Sequence, residues 1–93
     1  MKVRFTGSAE ADLERIADAI ARVDHERARL TVRALRAAAR SIGAMPRASS
    51  PVSASPGVRK KSIRPYVILY TLVREEAVVL RIAHERSDWA SLV

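Results

Sequence analysis

The chain has no cysteine, so neither a disulfide nor a thiolate-bound metal is available to it. A domain of this size without either staple commonly leans on a partner for stability. Its three glycines form no Gly-x-Ser-x-Gly or Gly-x-x-x-x-Gly-Lys motif, which excludes a nucleophile elbow and a phosphate-cradling P-loop. Two histidines, His25 and His84, stand in separate segments without His-x-x-x-His spacing, so no metal site and no cofactor are expected. Aromatic residues make up 4% of the chain, too few for a platform that stacks successive bases. No apolar run approaches the roughly 20 residues of a membrane span, and "MKVRFTGSAEADLE" lacks the apolar core of a signal peptide. A soluble, cytoplasmic protein without membrane contact is expected.

What remains is compact and basic. Ninety-three residues make one domain, 1–93, with a thin stability margin. A hydrophobic fraction of 48% argues against disorder along the chain. The net charge of +7 implies an anionic partner, either nucleic acid or an acidic protein.

"MKVRFTG" alternates, with Val3 and Phe5 opposite Lys2, Arg4 and Thr6, as a half-buried strand does. Ser8 suits a helix N-cap, and Glu10, Asp12 and Glu14 place negative charge where the helix dipole favours it. Ala9, Leu13, Ile16, Ala17, Ile20 and Val23 give one apolar face to a helix reaching about Arg22. Asp24 can cap a second helix whose core face is Ala28, Val32, Leu35, Ala39 and Ile42, with Gly43 as its stop. The short break between the patterns predicts an antiparallel helical hairpin. On the second helix Arg29, Arg33, Arg36 and Arg40 form a basic stripe, read either as a solvated face or as a strip that docks acidic protein or phosphate.

"AMPRASSPVSASPG", residues 44–57, continues neither period and reads as a Ser/Pro-rich loop. Three strand candidates follow: "VRKKSI", "PYVILYTLV" and "AVVLRIA". Both faces of the second are apolar, which predicts a central strand covered on both sides. Arg74 to Ala77 turns without glycine, favouring a type I-based turn. In the last strand Val78, Leu80, Ile82 and His84 share one face. The fold class is therefore α+β: an N-terminal strand, an antiparallel helical hairpin, then a three-stranded antiparallel segment completing one sheet.

RNA can be cleaved through its own 2′-hydroxyl by an acid, a base and cations that hold the phosphate. Lys60, Lys61, His84 and Arg86 are the set that would do this, with Arg59, Arg64, Arg81 and Glu85 nearby in sequence. A basic sheet protein supplies such an inventory in any case. The alternative for His84 is a strand-end residue packed on Trp89 and satisfied by Glu85, Asp88 or backbone, with Trp89 plugging the sheet end.

Three motifs resemble the RelE/ParE superfamily of bacterial type II toxins: Ala-x-x-Asp-Leu-x-x-Ile (Ala9, Asp12, Leu13, Ile16), Pro-Tyr-x-Ile-x-Tyr (Pro65, Tyr66, Ile68, Tyr70) and His-x-Arg-x-x-Trp (His84, Arg86, Trp89). They occur in the family's order and span nearly the whole chain outside the Ser/Pro loop. The resemblance implies a growth-inhibiting toxin of a plasmid-stabilization type system, neutralised by a ParD-like or related antitoxin that wraps it in a hetero-oligomer. RelE-like members cleave mRNA on the ribosome, typically with an arginine directly after the strand tyrosine; ParE-like members poison DNA gyrase. Here Val67 follows Tyr66, and Trp89 stands where nucleases often carry a tyrosine. The resemblance thus favours a ParE-like gyrase poison without chemistry of its own. A ribosome-dependent endoribonuclease is the alternative, and a small nucleic-acid-binding module the third reading. The residues expected to meet target or antitoxin are Arg29, Arg33, Arg36, Arg40, Arg81, Arg86 and Trp89.

Overall fold

The computed structural model describes all 93 residues. In chain order its elements are β1 (Lys2–Phe5), α1 (Gly7–Ala21), α2 (His25–Ile42), β2 (Ser50–Pro51), β3 (Val58–Ile63), β4 (Tyr66–Val73), β5 (Glu76–His84) and a 3₁₀ turn (Trp89–Leu92). The expected α+β architecture is present, with two differences in the sheet. Its order is β1-β5-β4-β3-β2, and β1 runs parallel to β5, so the sheet is mixed rather than antiparallel throughout. Residues expected to be only loop also contribute an edge strand: Ser50 and Pro51 pair with Lys60 and Arg59, a place where proline's missing N–H costs nothing. No helix is long and apolar enough to cross a membrane.

Helix α1 starts two residues earlier than Ser8 would dictate, because Thr6 is the N-cap. Its hydroxyl accepts from the Ala9 N–H at 3.1 Å and donates to the Leu80 carbonyl at 2.9 Å, fixing the helix start to β5. The helix ends at Ala21, and Val23, expected on the core face, is 92% exposed in the turn. Asp24 caps α2 as its sequence suggests, accepting from the Arg27 N–H at 3.0 Å. Gly43 ends α2 without a left-handed φ. It is needed for close approach instead, since a Cβ there would stand 2.3 Å from the Met1 carbonyl oxygen.

The core lies between the hairpin and the sheet. Ala9 and Leu13 of α1 and Leu35, Ala39 and Ile42 of α2 meet Ile68 and Tyr70 of β4 and Ala77, Val79 and Ile82 of β5. Burying a side chain such as Leu35 contributes about 2 kcal/mol. Tyr70 is fully buried and donates its hydroxyl to the Pro46 carbonyl at 2.7 Å. Val67 and Leu69, on the opposite face of β4, are buried as well, as the two-faced apolar pattern requires.

Strand β5 departs from simple alternation. Leu69 pairs with Arg81 but Tyr70 pairs with Val79, so Leu80 is an extra residue. Past this bulge the phase shifts, and Val79 joins Ile82 in the core while Val78 and Leu80 do not share that face. The expected grouping of Val78, Leu80, Ile82 and His84 is overturned by that one inserted residue. The β4–β5 turn also differs: Val73 pairs with Glu76, leaving a two-residue loop with φ +56° at Arg74. Positive φ at the first central position alone is the type II′ pattern, adopted here without glycine.

Candidate functional site

The structure divides the residues that a nuclease would need together between the two faces of the sheet, with Lys60 on one and Lys61 and His84 on the other. Lys60 and Lys61 are successive strand residues and point to opposite faces of the sheet. Lys60 pairs across strands with Leu69, on the face away from the helices, and its ammonium lies 5.0 Å from the centre of the Trp89 ring. Lys61 pairs with Ile68, on the helix-bearing face. His84 is exposed at the end of β5; its ring meets Tyr66 edge-on at 5.9 Å, and its Nδ1 accepts from the Arg86 N–H at 3.1 Å. It therefore packs on Tyr66 and not on Trp89, which instead covers Lys60. Arg86 is exposed in the turn after β5. Val67, following Tyr66, is 2% exposed and turned inward.

The basic stripe on α2 divides in the same way. Arg36 makes two hydrogen bonds to Glu10 of α1, at 3.1 and 2.9 Å, and its guanidinium lies 5.4 Å from the centre of the Phe5 ring. Arg29 pairs with Glu26 one turn back. Hydrogen bonding to Arg36 holds the Glu10 carboxyl below its ordinary value. Arg33 and Arg40 are exposed and carry no ion pair.

Arg81, expected on a contact surface, has an internal role. Strand β1 is so short that its pairing with β5 ends at Val79, which leaves the next part of the β5 edge without a strand partner. Helix α1 takes over there. Asp12, 3% exposed, accepts from the Ile82 N–H at 2.8 Å and from Arg81 Nε at 2.8 Å and Nη2 at 3.0 Å, and it also pairs with Arg15. Burial pushes the Asp12 carboxyl up, but the bonds from Arg81 and Ile82, with the charges of Arg81 and Arg15, outweigh it and hold the group below its ordinary value. The sequence reading assigned Asp12 to the helix dipole and missed this role. The signal was present in an aspartate at helical spacing among Ala9, Leu13 and Ile16, and an arginine inside an apolar strand.

One cleft flanks the hairpin on its other side. It has a volume of about 370 Å³ and runs between the α1–α2 turn, the first turns of α2 and the β3–β4 turn. Ile20, Leu35, Ile63 and Tyr66 line it together with Asp24 and Arg27 at the start of α2 and Arg64 in the β3–β4 turn. Sequence reading set Arg64 beside the candidate nuclease residues and passed over Arg27, because only the folded chain brings residues 27 and 64 to one opening. A second, more open cleft of about 360 Å³ lies by Thr6, Val58 and Leu80 near the C-terminal turn. No cluster of side chains able to hold a metal ion is formed.

No curated protein matches the chain. A solved structure described as the chromosomal ParDE TA system from P. aeruginosa superposes with a TM-score of 0.81 at 26% identity, covering 90% of this chain and 95% of that one. The family model for the ParE toxin of the type II toxin–antitoxin system parDE matches residues 3–89. With that match spanning all but the chain ends, the protein belongs to the ParE toxin family of type II toxin–antitoxin systems.

Proposed function

We propose that the protein arrests growth by binding and poisoning DNA gyrase, and that a cognate ParD-like antitoxin neutralises it by wrapping around it in a hetero-oligomer. The observation that carries this reading is the division of the candidate nuclease residues between the two faces of the sheet, Lys60 on one and Lys61 with His84 on the other. An acid–base cleavage requires its groups within hydrogen-bond reach of one phosphate, and here two of the cations lie on opposite faces of the sheet. A protein–protein contact needs no such convergence. Arg33 and Arg40 on the outer face of α2, and Arg86 with Trp89 after β5, are the residues proposed to contact the target; Arg29 and Arg36 contribute through their paired guanidinium groups, and Arg81 only by holding the fold.

The test is to assay purified gyrase supercoiling and ribosome-programmed mRNA cleavage side by side, in the cytoplasmic setting the reading assumes. Inhibited supercoiling with intact mRNA is expected, weakened by the paired substitutions Arg86→Ala and Trp89→Ala in a variant whose circular dichroism is unchanged. Cut mRNA with unaffected supercoiling would overturn the reading.

A further inference from the structure

We infer that the β2–β3 edge of the sheet grips the phosphate backbone of duplex DNA, with Arg47, Lys60 and Lys61 as its cations and Ser50 and Ser62 as its neutral donors. This goes beyond the gyrase reading, because it gives the chain a direct contact with nucleic acid that is measured without gyrase.

Charge is segregated along the chain. All ten acidic residues fall in 10–26 or 75–88, so residues 27–74 hold eleven of the seventeen cations and no carboxylate. The helical hairpin, 7–42, balances seven cations against six acids, and nearly the whole excess of +7 lies outside it. The sheet order turns this pattern into a place. Strands β4, β3 and β2 stand together on one side of the sheet, and they and the loop after α2 all come from the acid-free run. That edge carries cations without carboxylates of its own, which leaves their neutralisation to an outside anion.

The edge also has the donors that phosphate oxygens take. Arg47, Lys60 and Lys61 have no carboxylate within 4.0 Å. Arg59 is committed to the carbonyls of Arg47 and Ser49, at 3.2 and 2.7 Å, and so fixes the loop that presents Arg47. Pairing between β2 and β3 ends at Ser50 with Lys60. The Val58 carbonyl accepts from the Val52 N–H at 2.8 Å and so faces β2. By the alternation of a strand the Ser62 N–H turns the same way, where β2 no longer reaches. Ser50 and Ser62 are exposed and add their hydroxyls. Lysine, arginine, serine and backbone N–H are the usual partners of a phosphate backbone.

The kind of polymer follows from the side chains present. The chain has no asparagine or glutamine, the amides that pair with adenine, so the contact reads backbone rather than bases. Its aromatic rings are engaged: Phe5 lies under Arg36, Tyr66 meets His84, Tyr70 is buried and Trp89 lies against Lys60. No platform is left for the unpaired bases of a single strand. No exposed large apolar side chain lies in β2 or β3, so a protein partner would find charge there without an anchor. Lys60 and Lys61 splay to opposite faces of the edge. That suits the two phosphate lines flanking a DNA major groove, which is about 12 Å wide and admits a two-stranded β-ribbon.

The experiment is fluorescence anisotropy of a labelled DNA duplex of mixed sequence, roughly 20 base pairs long, titrated with the purified chain. Affinity should fall with salt at a log–log slope of about −2.7, the value for three neutralised phosphates. Arg47→Glu with Lys61→Glu is expected to weaken binding roughly 30-fold in about 0.1 M salt. Arg22→Glu with Arg74→Glu imposes the same charge change outside the edge and should stay within about threefold, since screening acts over about 10 Å. Should the first pair fail to fold by circular dichroism, Arg47→Ala with Lys61→Ala decides. It should reduce the slope to about −0.9, which a merely structural role would not do. No duplex binding by the wild type, or binding and slope that the edge variants leave unchanged, overturns the inference. So does tighter binding of a single strand, of polyglutamate, or of an RNA duplex, whose major groove is too narrow for the ribbon. Because gyrase is absent from the titration, each of these results leaves the gyrase reading to its own supercoiling assay.

Discussion

The two flanks of the helical hairpin treat arginine in opposite ways. Along the α1–β5 seam, Arg81 meets a buried carboxylate with two hydrogen bonds, and the same carboxylate closes the backbone of Ile82. Across the hairpin, Arg27 and Arg64 border an apolar cleft without comparable partners. Both settings put a guanidinium at the rim of apolar surface, and sequence alone shows no difference between them. What separates them is whether the fold delivers a carboxylate. Where it does, the arginine is part of the architecture; where it does not, the charge remains available to another molecule.

The largest effect should come from breaking the satisfied side. Asp12→Ala leaves Arg81 and the Ile82 N–H unpaired at a largely buried edge and should cost about 3 kcal/mol in urea unfolding. A loss below about 1 kcal/mol would place Arg81 with the surface arginines and dissolve the contrast. The same network dictates a pH response. The folded state holds Asp12 below its ordinary value of 3.8, so its contribution is fully present above that pH and is lost as pH falls through the lower folded value. Wild type should therefore lose stability more steeply below about pH 3.8 than Asp12→Ala does, as paired acid titrations followed by circular dichroism would show.

Next in size is the anchor that ties the start of β1 to the end of α2. The N-terminal ammonium donates to the Gly43 carbonyl at 3.1 Å, and a methyl at Gly43 would collide with backbone rather than with a movable side chain. Gly43→Ala should cost about 1–2 kcal/mol, measured by urea denaturation. A neutral result would mean that the strand end shifts freely.

The helices, the central strand and their core residues were legible because periodicity reports burial directly: Leu13, Leu35, Ile68 and Tyr70 all lie where their spacing puts them. The Leu80 bulge was not, since one extra residue in β5 is defined only relative to its partner strand. Nor was the two-residue turn, where the register of Val73 with Glu76 imposes a positive φ on Arg74 despite its side chain. The candidate site was legible as composition but not as placement. Lys60 and Lys61 are adjacent in sequence and opposed in space, while Arg27 and Arg64 are distant in sequence and share a cleft.

Smaller effects sharpen the contrast from the exposed side. Glu10 and Arg36 form two good hydrogen bonds, yet both side chains are 40% exposed or more. Glu10→Gln should cost only about 0.5 kcal/mol, well short of Asp12→Ala although each removes a carboxylate from an arginine. Equally small, and opposite in sign, is Arg27→Glu. It removes a cation from the positive end of α2 and offers a carboxylate to the capping box begun by Asp24, so stability should rise by about 0.5 kcal/mol. For a domain of this size that corresponds to roughly 2–4 °C in thermal midpoint, resolvable by calorimetry. A fall of the same size would show that Arg27 serves the fold after all, and the two flanks of the hairpin would no longer differ in kind. A rise would show that the chain keeps, at the mouth of its cleft, a charge that its own helix is better off without.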